Sequence, residues 1–208
     1  MYFGIISSAS VLLPVLSGFY AYSRTKRYRA LLFFFCFTLL VEIIANTLAL
    51  NHQTNNLWVY NIYTFVEGLF WILLIASWLS HKYYFVPRAM AVVYAIVWIY
   101  SSLISKTIVD YDTVSSVAEC ALLIPLSAFF LYQLSRDAAA PVLELPAFWF
   151  ITGVLFYFAS TAVINFTASY MFDGKALMNS TWYIHDFFNI ITNFIFAKAF
   201  LCTLRKLR

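Results

Sequence analysis

Residues 30–50 read ALLFFFCFTLLVEIIANTLAL, an apolar run interrupted by one ionisable side chain, Glu42. As a helix rising about 1.5 Å per residue, the run is about 30 Å long, the thickness of a bilayer's hydrocarbon layer. A carboxyl group at that depth costs about 2.5–3.5 kcal/mol even on the mildest insertion scale, so it is usually retained for a purpose and turned towards the protein interior. Glu67, Glu119 and Asp186 lie in other apolar stretches of the same kind, and His185 stands beside the last. The sequence therefore describes a membrane protein with a polar site among its helices.

Working outward from residues 30–50, seven such runs can be cut, at approximately 2–22, 30–50, 58–79, 89–109, 113–134, 147–171 and 181–203. The breaks between them carry the polar and turn-forming residues, such as SRTKRYR after the first and NHQTNN after the second. Hydrophobic residues make up 63% of the chain and charged residues 11%, against about 45–50% and 25% in soluble domains. The expected fold is all-α: a polytopic transmembrane seven-helix bundle, one domain over 1–208, with no room for a separate soluble domain. The first run lacks a basic leader, so no cleavable signal peptide is expected. Cys36, Cys120 and Cys202 are scattered through apolar runs and suggest neither a disulfide framework nor a metal motif. Pro14 and Pro125 fall inside spans and are expected to kink them.

Lysine and arginine set the expected orientation. Arg24, Lys26, Arg27, Arg29, Lys82, Arg88, Arg136, Arg205, Lys206 and Arg208 fall on one side, Lys106 and Lys175 on the other. Ten against two places the N-terminus outside and the C-terminus in the cytoplasm. Because the basic residues flank the spans instead of forming one patch, the net charge of +4 does not point to nucleic acid.

Helical spacing sorts the intramembrane polar residues into stripes. Thr38, Glu42 and Asn46 line up in span two, and Tyr60, Thr64 and Glu67 in span three. Ser115, Ser116 and Glu119 do so in span five, Gly153, Tyr157, Thr161, Asn165 and Ser169 in span six, and His185, Asn189 and Asn193 in span seven. Counted from the outer ends of their spans, His185 lies about 6 Å deep, Glu119 about 9 Å, Glu42 about 12 Å and Glu67 about 14 Å. Ser101, Ser102 and Ser105 of span four also fall in the outer half, whereas the inner halves are mostly Leu, Ile, Phe and Val. The expectation is an outward-facing polar pocket built by spans two, three, five, six and seven over an apolar plug. The candidate ligand- or proton-binding residues are Glu42, Glu67, Glu119, His185, Asp186, Asn189, Asn193, Asn165, Tyr157 and Tyr60. The competing explanation is that such side chains only glue helices together, at about 0.6 kcal/mol each. Clustered carboxylates in a low dielectric cannot all carry charge, so a shared proton or cation is expected.

Glu67, Glu119 and His185 are candidate metal ligands, since carboxylate plus imidazole suits zinc, iron or manganese; no cofactor follows from the sequence. Adjacent helical residues point about 100° apart, so His185 and Asp186 do not face each other, and an acid–base partner for His185 is expected across the bundle in Glu67 or Glu119. Lys198 stands near the cytoplasmic end and is expected to snorkel to the headgroups. Asn179-Ser180-Thr181 is a glycosylation sequon on an outer loop.

Asn56-Leu57-Trp58, Asn61-Ile62-Tyr63-Thr64 with Glu67, Phe148-Trp149-Phe150 with Tyr157-Phe158, and Trp182-Tyr183-Ile184-His185 with Asn189-Ile190 together resemble a recurring feature of uncharacterised small bacterial seven-helix integral membrane proteins. The resemblance implies the seven-helix fold, an outer N-terminus and residence in a bacterial inner membrane or a plasma membrane; it carries no activity. The leading expectation is a sensor- or receptor-like protein binding a small molecule, lipid headgroup, proton or ion. Its 22 Phe, 15 Tyr and 6 Trp supply apolar pocket walls. The alternatives are an intramembrane enzyme, such as a lipid hydrolase, and a proton-coupled transporter or channel. Expected partners are membrane lipids, a small-molecule or ion ligand, and a cytoplasmic protein or a second copy of the chain. The basic SRTKRYR loop serves either such a protein or anionic lipids.

Overall fold

The computed structural model describes residues 2–22, 26–50, 56–80, 82–83, 85–105, 107–110, 112–138, 140–171 and 175–205, and at 2, 27, 107, 166–171, 175–181 and 205 the backbone alone. Among the described residues the α-helices are α1 (Tyr2–Ser10), α2 (Leu12–Tyr20), α3 (Arg29–Leu50), α4 (Leu57–Trp78), α5 (Phe85–Trp98), α6 (Thr113–Asp137), α7 (Pro146–Met171) and α8 (Lys175–Arg205). Together they give seven helices long and apolar enough to cross a membrane, the first made of α1 and α2 and the fourth of α5 with its extension. This is the make-up of an integral multi-pass membrane protein. Large apolar side chains such as Leu16, Phe33, Leu40, Ile96, Val163 and Phe194 face outward, as a hydrocarbon solvent permits.

Local chemistry sets the boundaries. The first span breaks at Val11 because Pro14 has no N–H for the Ser10 carbonyl and its ring crowds that oxygen. Pro125, by contrast, is absorbed within an uninterrupted α6. Pro146 starts α7 at the first helical position, where its missing N–H costs nothing. The fourth span runs from Phe85 to Ile104, earlier than residues 89–109. Its last turn, Ile99–Ile104, is π-helical, closed by Ser105 N–H donating to the Tyr100 carbonyl at 2.9 Å. Two tertiary anchors hold the loop beyond it. Asn61 Nδ2 donates to the carbonyls of Ile108 and Asp110, both at 2.7 Å, and Asp112 caps α6 by accepting from Ser115 N–H at 3.1 Å.

Helices α2, α3, α4, α6, α7 and α8 pack in sequence into a ring, which α1 joins through α8 and which closes where α2 meets both α3 and α8. Helix α5 lies outside that ring, against α4 and α6. Half of the ring's interior is filled by side chains. Trp71 stacks on Phe196 (5.5 Å between ring centroids), Phe35 meets Phe196 at a tilt (4.9 Å) and Phe150 meets Phe200 edge to face (4.9 Å), with Leu31, Leu32, Ile72, Ile75 and Leu123 buried around them. Phe196 seats against bare backbone, since a Cβ on Gly153 would stand 2.6 Å from its ring. Near this end the Lys198 ammonium lies over the Trp149 ring, 3.4 Å from its centroid.

Arg24, Lys106, Lys206 and Arg208 lie outside the described residues, as do the side chains of Ser169, the sequon Asn179-Ser180-Thr181, Arg27, Lys175 and Arg205.

Candidate functional site

The other half of the ring, where α1, α4, α6 and α8 begin, encloses a partly open cavity of about 490 Å³. All ten candidate residues, Tyr60, Glu42, Glu67, Glu119, Tyr157, Asn165, His185, Asp186, Asn189 and Asn193, line it. They converge because each helix of the ring has one face turned inward, and stripes at 3.6-residue spacing occupy that face.

Helix α1, which carried no expected site residue, is a wall of this cavity. Ser8 Oγ donates to Glu42 Oε2 at 2.7 Å and accepts from Asn46 Nδ2 at 3.1 Å, tying α1 to α3. Ser7 Oγ accepts from Asn189 Nδ2 at 2.9 Å and Ser10 Oγ from Asn193 Nδ2 at 2.8 Å, tying α1 to α8. The signal in the sequence was the cluster Ser7-Ser8-Ala9-Ser10 within an apolar run. Ser8→Ala removes both a donor to Glu42 and an acceptor for Asn46. A stability loss of about 1 kcal/mol is expected, read as a lower unfolding temperature in detergent. An unchanged temperature would mean that apolar contacts alone hold α1.

Glu67 and Glu119 project from facing helices. Glu67 is 9% exposed and Glu119 4%. Glu67 Oε1 accepts from the Tyr63 hydroxyl at 3.1 Å, and that hydroxyl lies 3.1 Å from Thr38 Oγ1, so the Glu67 carboxyl ends a short chain of hydroxyls from α3. Glu119 has no such support. Its buried Oε1 has no hydrogen-bond partner among the described residues and comes within 3.0 Å of where a Cβ on Gly68 would stand. A buried polar atom left unpaired costs about 1–3 kcal/mol.

His185 and Asp186 diverge as their adjacency requires. Ring contacts to Tyr157 (6.0 Å between centroids) and Trp182 (5.6 Å) surround His185, while Asp186 Oδ2 faces α1, 3.6 Å from a Cβ position on Gly4. Among the described residues no group of three or more His, Cys, Asp or Glu side chains is arranged to hold a metal ion. Glu67, Glu119 and His185 therefore share the cavity without forming a ligand set.

Ser115, part of the span-five stripe, does not line the cavity; it faces Asp112, as do Ser101 and Ser102 of the fourth span. Ser101 Oγ donates to Asp112 Oδ1 at 2.5 Å, and Ser102 Oγ and Ser115 Oγ donate to Oδ2 at 2.6 and 2.7 Å. Burial pushes the Asp112 carboxyl up, but the hydrogen bonds from Ser101, Ser102 and Ser115 outweigh it and hold the group below the usual carboxylate value. Asp112, read from the sequence only as a loop residue, is the cap that joins α5, α6 and their connection. Span one, in turn, joins the five spans expected to build the pocket.

Comparisons of the chain with family models, with curated proteins and with solved structures give no match. The resemblance of its aromatic-rich stretches to small bacterial seven-helix proteins therefore brings no activity to the cavity.

Proposed function

We propose that the chain is a receptor-like membrane protein that binds a small organic molecule in this cavity. The observation that carries the reading is the convergence of ten polar side chains on one space of about 490 Å³, a size typical of small-molecule sites. A glue role needs polar groups paired across helix contacts; it gives no reason for an open volume between them or for an unpaired Glu119 oxygen. The packed aromatic half beyond the cavity favours binding over a continuous pore. Metal-dependent hydrolysis draws no support from the described side chains.

In this reading the N-terminus is outside, on the lysine and arginine bias, and the host is a bacterial inner membrane or a plasma membrane. Lipids surround the bundle. The response passes to a cytoplasmic protein or a second copy of the chain at the opposite end, where Lys82 and Arg136 are exposed.

Three probes of one shape test the pocket: 2-phenylethanol, 2-phenylethylamine and phenylacetate, titrated into protein in a neutral maltoside micelle. Saturable 1:1 binding of at least one is expected, and it should vanish in Thr161→Phe, which fills the cavity from a buried lining position. No binding of any probe at millimolar concentration, or binding unaffected by Thr161→Phe, would overturn the reading.

A further inference from the structure

We propose that the ligand is an organic cation, an ammonium group on a small apolar body, with its charge held between Glu67 and Glu119. This rests on the reading of the cavity as a small-molecule pocket and specifies what enters it. Four carboxyl groups line the space and, among the described residues, no Lys or Arg does. An anion would meet like charge without compensation, and a neutral ligand would leave the carboxyl groups unexplained. A metal ion fails on ligand number among the described residues and would leave most of about 490 Å³ empty.

Glu119 sharpens the choice. It is 4% exposed, lines the cavity and keeps one oxygen without a partner. Glu67 stands on the facing helix next to Gly68, whose Cβ position would lie 3.0 Å from Glu119 Oε1, and its own carboxyl accepts from Tyr63. An ammonium offers up to three donors and no acceptor, the complement of two carboxylates. The surroundings suit the remainder of such a ligand. Tyr157, Trp71, Phe34 and Phe196 line the same space and give it aromatic, apolar walls. The same ammonium chemistry occurs in a free amine and in an aminophospholipid headgroup.

The probes above separate the outcomes. In the neutral micelle, 2-phenylethylamine is expected to bind at least tenfold more tightly than 2-phenylethanol, with phenylacetate weakest. Glu67→Gln and Glu119→Gln should each weaken the amine at least tenfold more than the alcohol, a pattern that a merely structural role would not give. Should the alcohol or phenylacetate bind as well as the amine, or should the two variants weaken amine and alcohol alike, the cation assignment falls while the pocket stands. Should none of the three bind, the pocket falls with it. Adding phosphatidylethanolamine or phosphatidylglycerol to the micelle identifies the source. Competition by the first alone marks a lipid headgroup, and competition by neither marks a soluble amine; both results uphold the ammonium. Competition by phosphatidylglycerol alone would overturn it.

Discussion

Asp112→Ala is expected to lower stability by about 3 kcal/mol, combining about 1 kcal/mol for the lost cap on Ser115, its N–H and hydroxyl taken together, with about 1 kcal/mol for each of the Ser101 and Ser102 hydroxyls that lose this acceptor. Ser101, Ser102 and Ser115 all donate to this one carboxylate, which ties the end of the fourth span to α6. For a chain of this length the loss corresponds to a fall of about 6–12 °C in unfolding temperature. Asp112→Asn, which keeps an acceptor oxygen but not the charge, should fall between the variant and the wild type. The pH dependence follows from the sign of the shift. Because the folded protein holds the Asp112 carboxyl below its unfolded value, its contribution is complete above the unfolded pKa of about 3.9. It is lost as pH falls through the lower folded value. Thermal unfolding of wild type and Asp112→Asn should therefore converge below about pH 4. An Asp112→Ala protein as stable as the wild type would remove the cap from the explanation of the fold.

Gly68→Ala carries the second large effect, on stability and on the pocket together. A Cβ at residue 68 would stand 2.5 Å from Tyr94 Cε1 and 2.7 Å from Cζ. Tyr94 cannot swing aside at low cost: its ring is fully buried, and its hydroxyl donates to the Thr64 carbonyl at 2.9 Å. Overpacking of this kind costs about 1–3 kcal/mol. The same methyl would crowd Glu119 Oε1, so amine binding should fall with stability. Combining Gly68→Ala with Tyr94→Leu removes the clash, and the pair should be clearly less destabilising than the sum of its parts, as for residues in contact. Strict additivity would place the strain elsewhere.

Much of this arrangement was legible in the sequence, and the reasons are physical. A span needs a long apolar run, so the runs located the seven membrane helices; a polar side chain avoids lipid, so stripes at helical spacing located the inward faces. Glu42, Glu67, Glu119 and the span-seven residues reached one cavity for that reason. Helix α1 was harder to read because Ser7 and Ser8 are adjacent and serve different neighbours, α8 and α3, leaving no single stripe. Ser101 and Ser102 misled in the opposite sense. Their depth matched the pocket, but α5 lies outside the ring, and their partner, Asp112, sits in a turn whose importance depends on a helix folding back onto it. Asn61 holds that turn through two loop carbonyls, a contact invisible without the tertiary structure.

If Glu119 is kept for a ligand at a cost to the empty protein, thermal unfolding of Glu119→Met beside the wild type will show it. Methionine fills similar volume without a buried polar oxygen. With the pocket empty, the variant is expected to unfold at the wild-type temperature or above it, by up to about 1–3 kcal/mol of relieved cost, and to show no stabilisation by 2-phenylethylamine. A variant that unfolds well below the wild type would contradict the claim and make Glu119 part of the glue between helices.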